Sequence, residues 1–252
     1  VNQYGEGELI RVAETPRAGS RRVWKDESGS FNEQYEALPT YYVIESYGKA
    51  QDKRLAITFD DGPDREFTPK VLDILKEKKV PATFFVVGAN AEGAPDLLRR
   101  IYAEGHEIGN HSYSHPNIAL TSPERTRLEL DATQRIVEHA LGRSTILFRP
   151  PYNADSEPQT PDEIEPVRRA QEAGYLSVGE RIDPQDWREG ITADAIVNEV
   201  IEERENGSII LLHDAGGDRT STLKALPRII DNFRGEGYRF VLVGDLVSKS
   251  RD

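Results

Sequence analysis

The chain has 252 residues, with 32 Lys and Arg against 44 Asp and Glu, for a formal net charge of −12. Such a surface repels a polyanion on average, so nucleic acid is not an expected partner, and the absence of Cys rules out thiolate chemistry, disulfides and Cys-zinc sites. No apolar run approaches the roughly 18 residues of a membrane helix, the start Val1-Asn2-Gln3-Tyr4-Gly5 has no signal-peptide core, and a chain without Met reads as a piece of something longer.

Two zones follow one another. Residues 1–50 are polar and turn-rich, with clusters at Ala18-Gly19-Ser20-Arg21-Arg22 and Lys25 to Ser30, and they read as short strands and loops before Tyr41-Tyr42-Val43-Ile44. From residue 51 strands and helices alternate. Leu55 to Phe59 is a strand that ends in Asp60-Asp61-Gly62-Pro63. Thr68-Pro69 opens a helix, Thr as its cap, with Val71, Leu72 and Leu75 on one face. Thr83 to Val87 is a buried strand, Pro95 to Glu104 a helix, and His106 to Gly109 strand-like. Ser122-Pro123 starts a long helix whose apolar face is Leu128, Ala132, Ile136 and Ala140, closed by Gly142. Ile146 to Phe148 and Tyr175 to Val178 are strands on either side of a helix from Glu163 to Ala173. Thr192 caps a helix that buries Ile196, Val197, Val200 and Ile201. A strand from Ser208 to Leu212, a helix from Leu223 to Phe233 and a strand from Phe240 to Val243 complete the chain. Alternation over about 190 residues implies a parallel sheet with crossover helices. About seven such units without a Gly-rich dinucleotide fingerprint favour a closed or nearly closed α/β barrel over a doubly wound sheet.

In such a barrel, chemistry gathers at the C-terminal ends of the strands. Asp60-Asp61 places adjacent carboxylates at one of these ends, pointing different ways, so that one can bind a metal while the other faces substrate; a turn alone would also account for Asp-Asp-Gly-Pro. His111 and His115, four apart, share a side if they occupy one helical turn, and with a strand-end Asp they form a two-His, one-carboxylate set that leaves metal positions open. Arg149, before Pro150-Pro151-Tyr152, can hold a carboxylate by paired hydrogen bonds. Asp183-Pro184-Gln185-Asp186-Trp187 supplies two acids and one of only two Trp, and Leu211-Leu212-His213-Asp214 carries a His to a strand end. His106 and His139 read as structural.

Together and in this order, these segments resemble the polysaccharide deacetylase family with the NodB-homology domain, a carbohydrate esterase family. Its motifs stand here as Thr58 to Pro63, His111 to His115, Arg149 to Tyr152, Asp183 to Trp187 and Leu211 to His213. The resemblance covers about residues 52–247 and implies a distorted, incompletely closed (β/α) barrel of about seven parallel strands behind a short β/loop segment at 1–50. The acidic stretch Asn153 to Glu163 resembles deacetylase modules fused to a family-two glycosyltransferase, some behind a chitinase-like domain. Residues 1–50 would then be a linker or the tail of a preceding module, and 51–252 the deacetylase domain.

The resemblance implies hydrolysis of the acetamide of N-acetylglucosamine units in a polysaccharide or oligosaccharide, outside the cell or at its surface, with release of acetate. Asp61, His111 and His115 would hold one divalent metal, zinc first, with cobalt, nickel or manganese as alternatives. The implied catalytic set is Asp60 as general base, Arg149 holding it, His213 as acid, and Asp186, with Asp183 the alternative, tuning His213. Trp187 and Leu211 would line the acetyl-methyl pocket, and the backbone N–H of Tyr152 would face the oxyanion. The competing readings are a catalytically silent carbohydrate-binding module, an amidohydrolase acting on another amide, and a metal phosphatase. Intact Asp60 and His213 argue against the first, the retained metal triad against the second, and the net charge against the third.

Overall fold

The computed structural model describes residues 1–49, 53–152, 157–205 and 207–247. The N-terminal zone holds β1 (Asn2–Gly5), β2 (Leu9–Glu14), a hairpin of β3 (Ser20–Lys25) and β4 (Phe31–Ala37), and β5 (Val43–Tyr47). The alternating region follows as β6 (Arg54–Asp60), α1 (Thr68–Lys78), β7 (Thr83–Val86), α2 (Gly88–Gly93), α3 (Pro95–Ala103), β8 (Glu107–Asn110), a 3-10 turn (Ile118–Leu120) and α4 (Pro123–Leu141). It continues as β9 (Leu147–Phe148), α5 (Pro161–Glu172), β10 (Leu176–Val178), α6 (Ala193–Glu202), β11 (Ile209–His213), α7 (Thr220–Gly235), β12 (Arg239–Phe240) and α8 (Val243–Val247).

The sheet runs β1-β5-β2-β10-β9-β8-β7-β6-β11, with β12 added against the start of β6. The strands from β6 to β12 pair in parallel, and β2 joins β10 antiparallel. This is the expected distorted barrel, not fully closed: among the described residues, β11 is met on its far side by a single isolated bridge, Ile182, downstream of β10, to Ile210.

Strand parity divides the core and places the chemistry. On β6, Leu55, Ile57 and Phe59 face outward and pack with Val71, Leu72 and Leu75 of α1 and with Ile229, Ile230 and Phe233 of α7. The alternate positions face inward, where Ala56 joins Leu9, Phe85, Leu147, Val178 and Ile209. Continuing that parity, Thr58 and then Asp60 lie on the inner face. On β11, Ile210 and Leu212 face the helices, so Ile209, Leu211 and His213 turn inward. His213 is the register partner of Asp60 across the β6–β11 pair. Two strands thus deliver a carboxylate and an imidazole to the same mouth of the barrel.

Local expectations differ from the structure at four places. Thr68 is not a cap. It lies inside α1, and its hydroxyl donates to Asp214, while Asp64 accepts the exposed N–H groups of Glu66 and Phe67. On α4, Ile136 and Ala140 pack against the core as expected, but Leu128 is 65% exposed, and the fully buried stripe is Thr126, Glu129, Leu130, Thr133 and Val137, whose first turns are held by tertiary hydrogen bonds of Thr126 and Glu129. The short helix α2 had no apolar period to announce it. Finally, the last strand stops at Phe240, and Val243 and Leu246, three apart, form a helical turn that enters the inner cluster.

The boundary drawn at residues 50 and 51 falls outside the described residues, as do 153–156 of the acidic stretch. Pairing nevertheless runs from the N-terminal zone into the barrel, through Ile10 opposite Ser177 and Leu9 opposite Val178. Glu8, 1% exposed, accepts the N–H groups of Ser208 at 2.6 Å and Ile209 at 2.9 Å. These open β11 on the side where no complete strand pairs with it. A side chain on Gly207 would collide with the Glu8 carboxylate, 2.2 Å from an added Cβ, so Gly is required at that approach. A buried N–H without an acceptor costs about 1–3 kcal/mol. Glu8→Ala orphans two of them and should lower unfolding stability by roughly 3 kcal/mol, while Glu8→Gln, which keeps an acceptor oxygen, should lose less. Chemical denaturation of the two variants checks this.

Candidate active site

The barrel mouth is built around Arg149, which follows β9 and is fully buried. Its Nη1 donates to Asp60 Oδ1 at 2.9 Å and to Thr58 Oγ1 at 2.7 Å. Nε donates to the Val178 carbonyl at 3.2 Å and Nη2 to the Gly179 carbonyl at 3.3 Å, and the guanidinium stacks 4.4 Å from the Phe85 ring centre. The expectation of paired hydrogen bonds to a carboxylate is corrected: a single one reaches Asp60, and three further donors go to Thr58 and two backbone carbonyls. Asp60 Oδ2 is left facing His111 Nε2, 3.7 Å away.

Asp61 follows directly, with φ of 74°, so the chain turns left-handed and sends the second carboxylate to another side. Its Oδ1 lies 3.1 Å from His115 Nε2 and 3.5 Å from His111 Nε2. One ligand atom from each of Asp61, His111 and His115 falls within 4.8 Å of the others. The two His do not share a helical turn, as their spacing had suggested. Residues 111–115 form a loop in which Ser112 (φ 66°) and His115 (φ 57°) are left-handed, and the fold of this loop brings the rings 5.0 Å apart. Tyr152 is left-handed too (φ 66°), and its ring meets His115 edge-on at 4.7 Å. Left-handed backbone at non-glycine residues costs on the order of 1–3 kcal/mol each and persists only where surrounding contacts enforce it.

Three features show that this group fits a divalent cation. His111 Nδ1 donates to the Arg149 carbonyl at 2.7 Å, so its Nε2 is the free ligand nitrogen. Asp61 Oδ1 is buried with no hydrogen-bond partner among the described residues. Two imidazoles and one carboxylate are a donor set that leaves coordination positions open. The cluster requires positive charge, supplied by a cation or by imidazolium protons. Burial works against the Asp61 carboxylate, but the imidazoles of His111 and His115 outweigh it and hold the carboxyl below its ordinary range.

On the other side of the mouth stands His213. Its Nδ1 is 2.7 Å from Asp186 Oδ1, and its backbone N–H donates to Asp186 Oδ2 at 3.0 Å. Burial disfavours the imidazolium, yet the bond to Asp186, with the charges of Asp60 and Asp61, raises the His213 pKa to about 9. Asp183 instead accepts from Gln185, and its backbone N–H donates to Glu203. Trp187 is 53% exposed, Tyr152 is 73% exposed and Leu211 is buried on the inner face of β11. His106 is buried and accepts the N–H of Ala82, and His139 is exposed on α4.

Several supporting residues gave no signal in the sequence. Thr222 donates to Asp186 Oδ2 at 2.6 Å, and Arg219 bonds the carbonyls of Asp186, Ala215 and Gly216. Burial pushes the Asp214 carboxyl up to about 7, and it packs so closely on Gly62 that a Cβ there would lie 2.4 Å from it. An Arg just before a helix or a Thr in its first turn is unremarkable until its partner is known; only the run Asp214 to Arg219 after a strand-end His could have prompted a search.

The His213 pair has a measurable consequence. It stabilises the folded chain in full below pH 6.5 and progressively less as pH rises through about 9. By NMR, His213 should titrate near 9 in the metal-free protein. In Asp186→Asn the burial cost remains and the main partner is lost, so the pKa should drop to the ordinary 6.5 or below. An unchanged titration would remove Asp186 as the cause.

Comparison with known proteins agrees with this geometry. The polysaccharide deacetylase family model matches residues 47–175. A peptidoglycan-N-acetylglucosamine deacetylase of Bacillus cereus is 40% identical over 207 residues, covering 82% of this chain and 71% of that protein. The crystal structure of a peptidoglycan N-acetylglucosamine deacetylase superposes with a TM-score of 0.72 at 38% identity, covering 82% of this chain and 95% of that one. A family 4 acetyl xylan esterase from Clostridium thermocellum, solved with a cobalt ion, superposes with a TM-score of 0.68 at 36% identity, covering 78% of this chain and 91% of that one. With five ordered motifs gathered at one barrel mouth and a family match over half its length, the chain belongs to the polysaccharide deacetylase family.

Proposed function

We propose that the chain removes N-acetyl groups from N-acetylglucosamine units of a glycan, releasing acetate and leaving a free amine, at or outside the cell surface. The observation that carries this reading is the opposition of Asp60 and His213 across one parallel strand pair, with the Asp61, His111 and His115 cluster beside them. A divalent metal held by that cluster would polarise the acetyl carbonyl and the attacking water. Zinc suits a donor set of two imidazoles and a carboxylate.

The chain's own residues divide the proton work. Arg149 holds Asp60 Oδ1, so Oδ2, which faces His111, takes the proton from the attacking water. Arg149 is a positioning residue in this scheme: it fixes the base and, through its carbonyl, orients His111. His213 keeps Nδ1 on Asp186 and presents Nε2 to the leaving nitrogen. An amine departs poorly unless protonated, and a His with a pKa raised to about 9 still carries its proton at neutral pH. The backbone N–H of Tyr152 serves as oxyanion donor, and Trp187 with Leu211 borders the acetyl methyl.

Acetate release from peptidoglycan and chitooligosaccharides, with and without chelator, tests the reading. Activity should be lost on chelation and return with a divalent ion. Asp60→Asn should lower kcat by about 10²–10⁴-fold while metal content stays unchanged. Loss of metal in Asp60→Asn with retention in Asp61→Asn would reverse the two roles, and full activity in metal-free protein would reject the mechanism.

A further inference from the structure

The buried polar stripe on α4 has a consequence for the barrel mouth. Glu129 is only 2% exposed and sits on the side of the helix turned toward the loop between His111 and His115. Its Oε2 accepts the backbone N–H of Tyr113 at 2.9 Å and of Ser114 at 2.7 Å. Its Oε1 accepts the Ser114 hydroxyl at 2.7 Å and pairs with Arg125 Nη2 at 2.5 Å. The N–H groups of Gly88 and Ala89 at the start of α2 donate to the carbonyls of Ser112 and Tyr113, each at 2.9 Å. Within the loop, Ser112 Oγ accepts the His115 N–H at 3.1 Å, and Asn110 accepts the N–H of Ser112 at 2.9 Å.

We propose that Glu129 is the positioning residue of the metal cluster: its carboxylate holds the N–H groups of Tyr113 and Ser114, midway between the His ligands, and so sets the separation and aim of both imidazoles. The inference rests on the metal reading above. Two considerations single out Glu129 from the other bonds of the loop. Ser112 and His115 are both left-handed, a conformation that a free five-residue loop would abandon. Glu129 is also a side chain from a separate element that grips both middle residues at once, and backbone N–H groups bonded to an ionised carboxylate make stronger hydrogen bonds than those to a neutral acceptor. The carboxylate touches neither imidazole and no reacting atom. Its effect is on how well the ligands are arranged before the metal arrives, and partners of this kind are typically worth about 10–100-fold in metal affinity.

The test is metal binding by the full chain, read by competition of Zn²⁺ against a chelating dye and by the visible spectrum of the Co²⁺ form. Glu129→Met keeps the side-chain length and removes both acceptors, and should raise the dissociation constant for Zn²⁺ by about 10–100-fold with a changed Co²⁺ spectrum. Glu129→Gln retains one oxygen that can accept both N–H groups, and should recover most of the affinity. If Glu129→Met does not fold, Glu129→Asp, which keeps the charge but withdraws the carboxylate by one methylene, takes its place with the same expected weakening. Wild-type affinity and spectrum in the folded Met or Asp variant, or a Gln variant no better than Met, overturns the assignment. Failure of the wild-type chain to bind metal would instead overturn the metal reading itself.

Discussion

The site depends on one buried guanidinium. Arg149 sits inside the barrel and ties together β6 through Thr58 and Asp60 and the end of β10 through two carbonyls. Its own carbonyl accepts a hydrogen bond from His111 Nδ1. Removing such a charge from water is expensive, and a buried ion pair breaks even only when its remaining donors are satisfied. Here an acid, a hydroxyl and two carbonyls take four of the five N–H donors, and the face of Phe85 lies against the guanidinium. One residue therefore aims the proposed base and orients a proposed metal ligand, so neither can shift without the other.

Around that centre the charges are sorted by neighbours rather than by residue type. Asp61, beside two imidazoles, is held ionised; Asp214, buried with one hydroxyl donor and close to Asp61, is pushed up to about 7. His213 is charged because Asp186 is fixed on it, and Asp186 is fixed in turn by Thr222 and by the His213 backbone. The excess of carboxylates over permanent cations in so small a volume is what makes a divalent ion a natural occupant.

The fold closes by an unequal arrangement. Where a further parallel strand would complete the barrel, the chain places Glu8 and one bridge, so a carboxylate stands in for strand backbone at the opening of β11. The same β11 carries His213 at its other end. Residues 1–50 are in this way tied by hydrogen bonds to the strand that presents the proposed acid, although they contain none of the five motifs.

Much of this was legible in the sequence, because period and order survive without three dimensions. Alternating strands and helices determine a parallel sheet, and adjacency of Asp60 and Asp61 at a strand end determines that the two carboxylates point different ways; which of them faces inward is decided by the core clusters on either side of β6. Five motifs in order determine the family. What the sequence could not contain is the partner of each polar residue. His111 and His115 read as one helical turn but meet through a left-handed loop. Leu128 read as core but is exposed, because the energetic demand on α4 comes from Glu129 bonding a loop that lies fifteen residues or so earlier in the chain. The choice between Asp183 and Asp186 rests on which carboxylate reaches His213, a matter of a few ångströms. Apolar burial acts on a face and leaves a period; a hydrogen bond acts between two atoms and leaves none, so tertiary structure alone decides it.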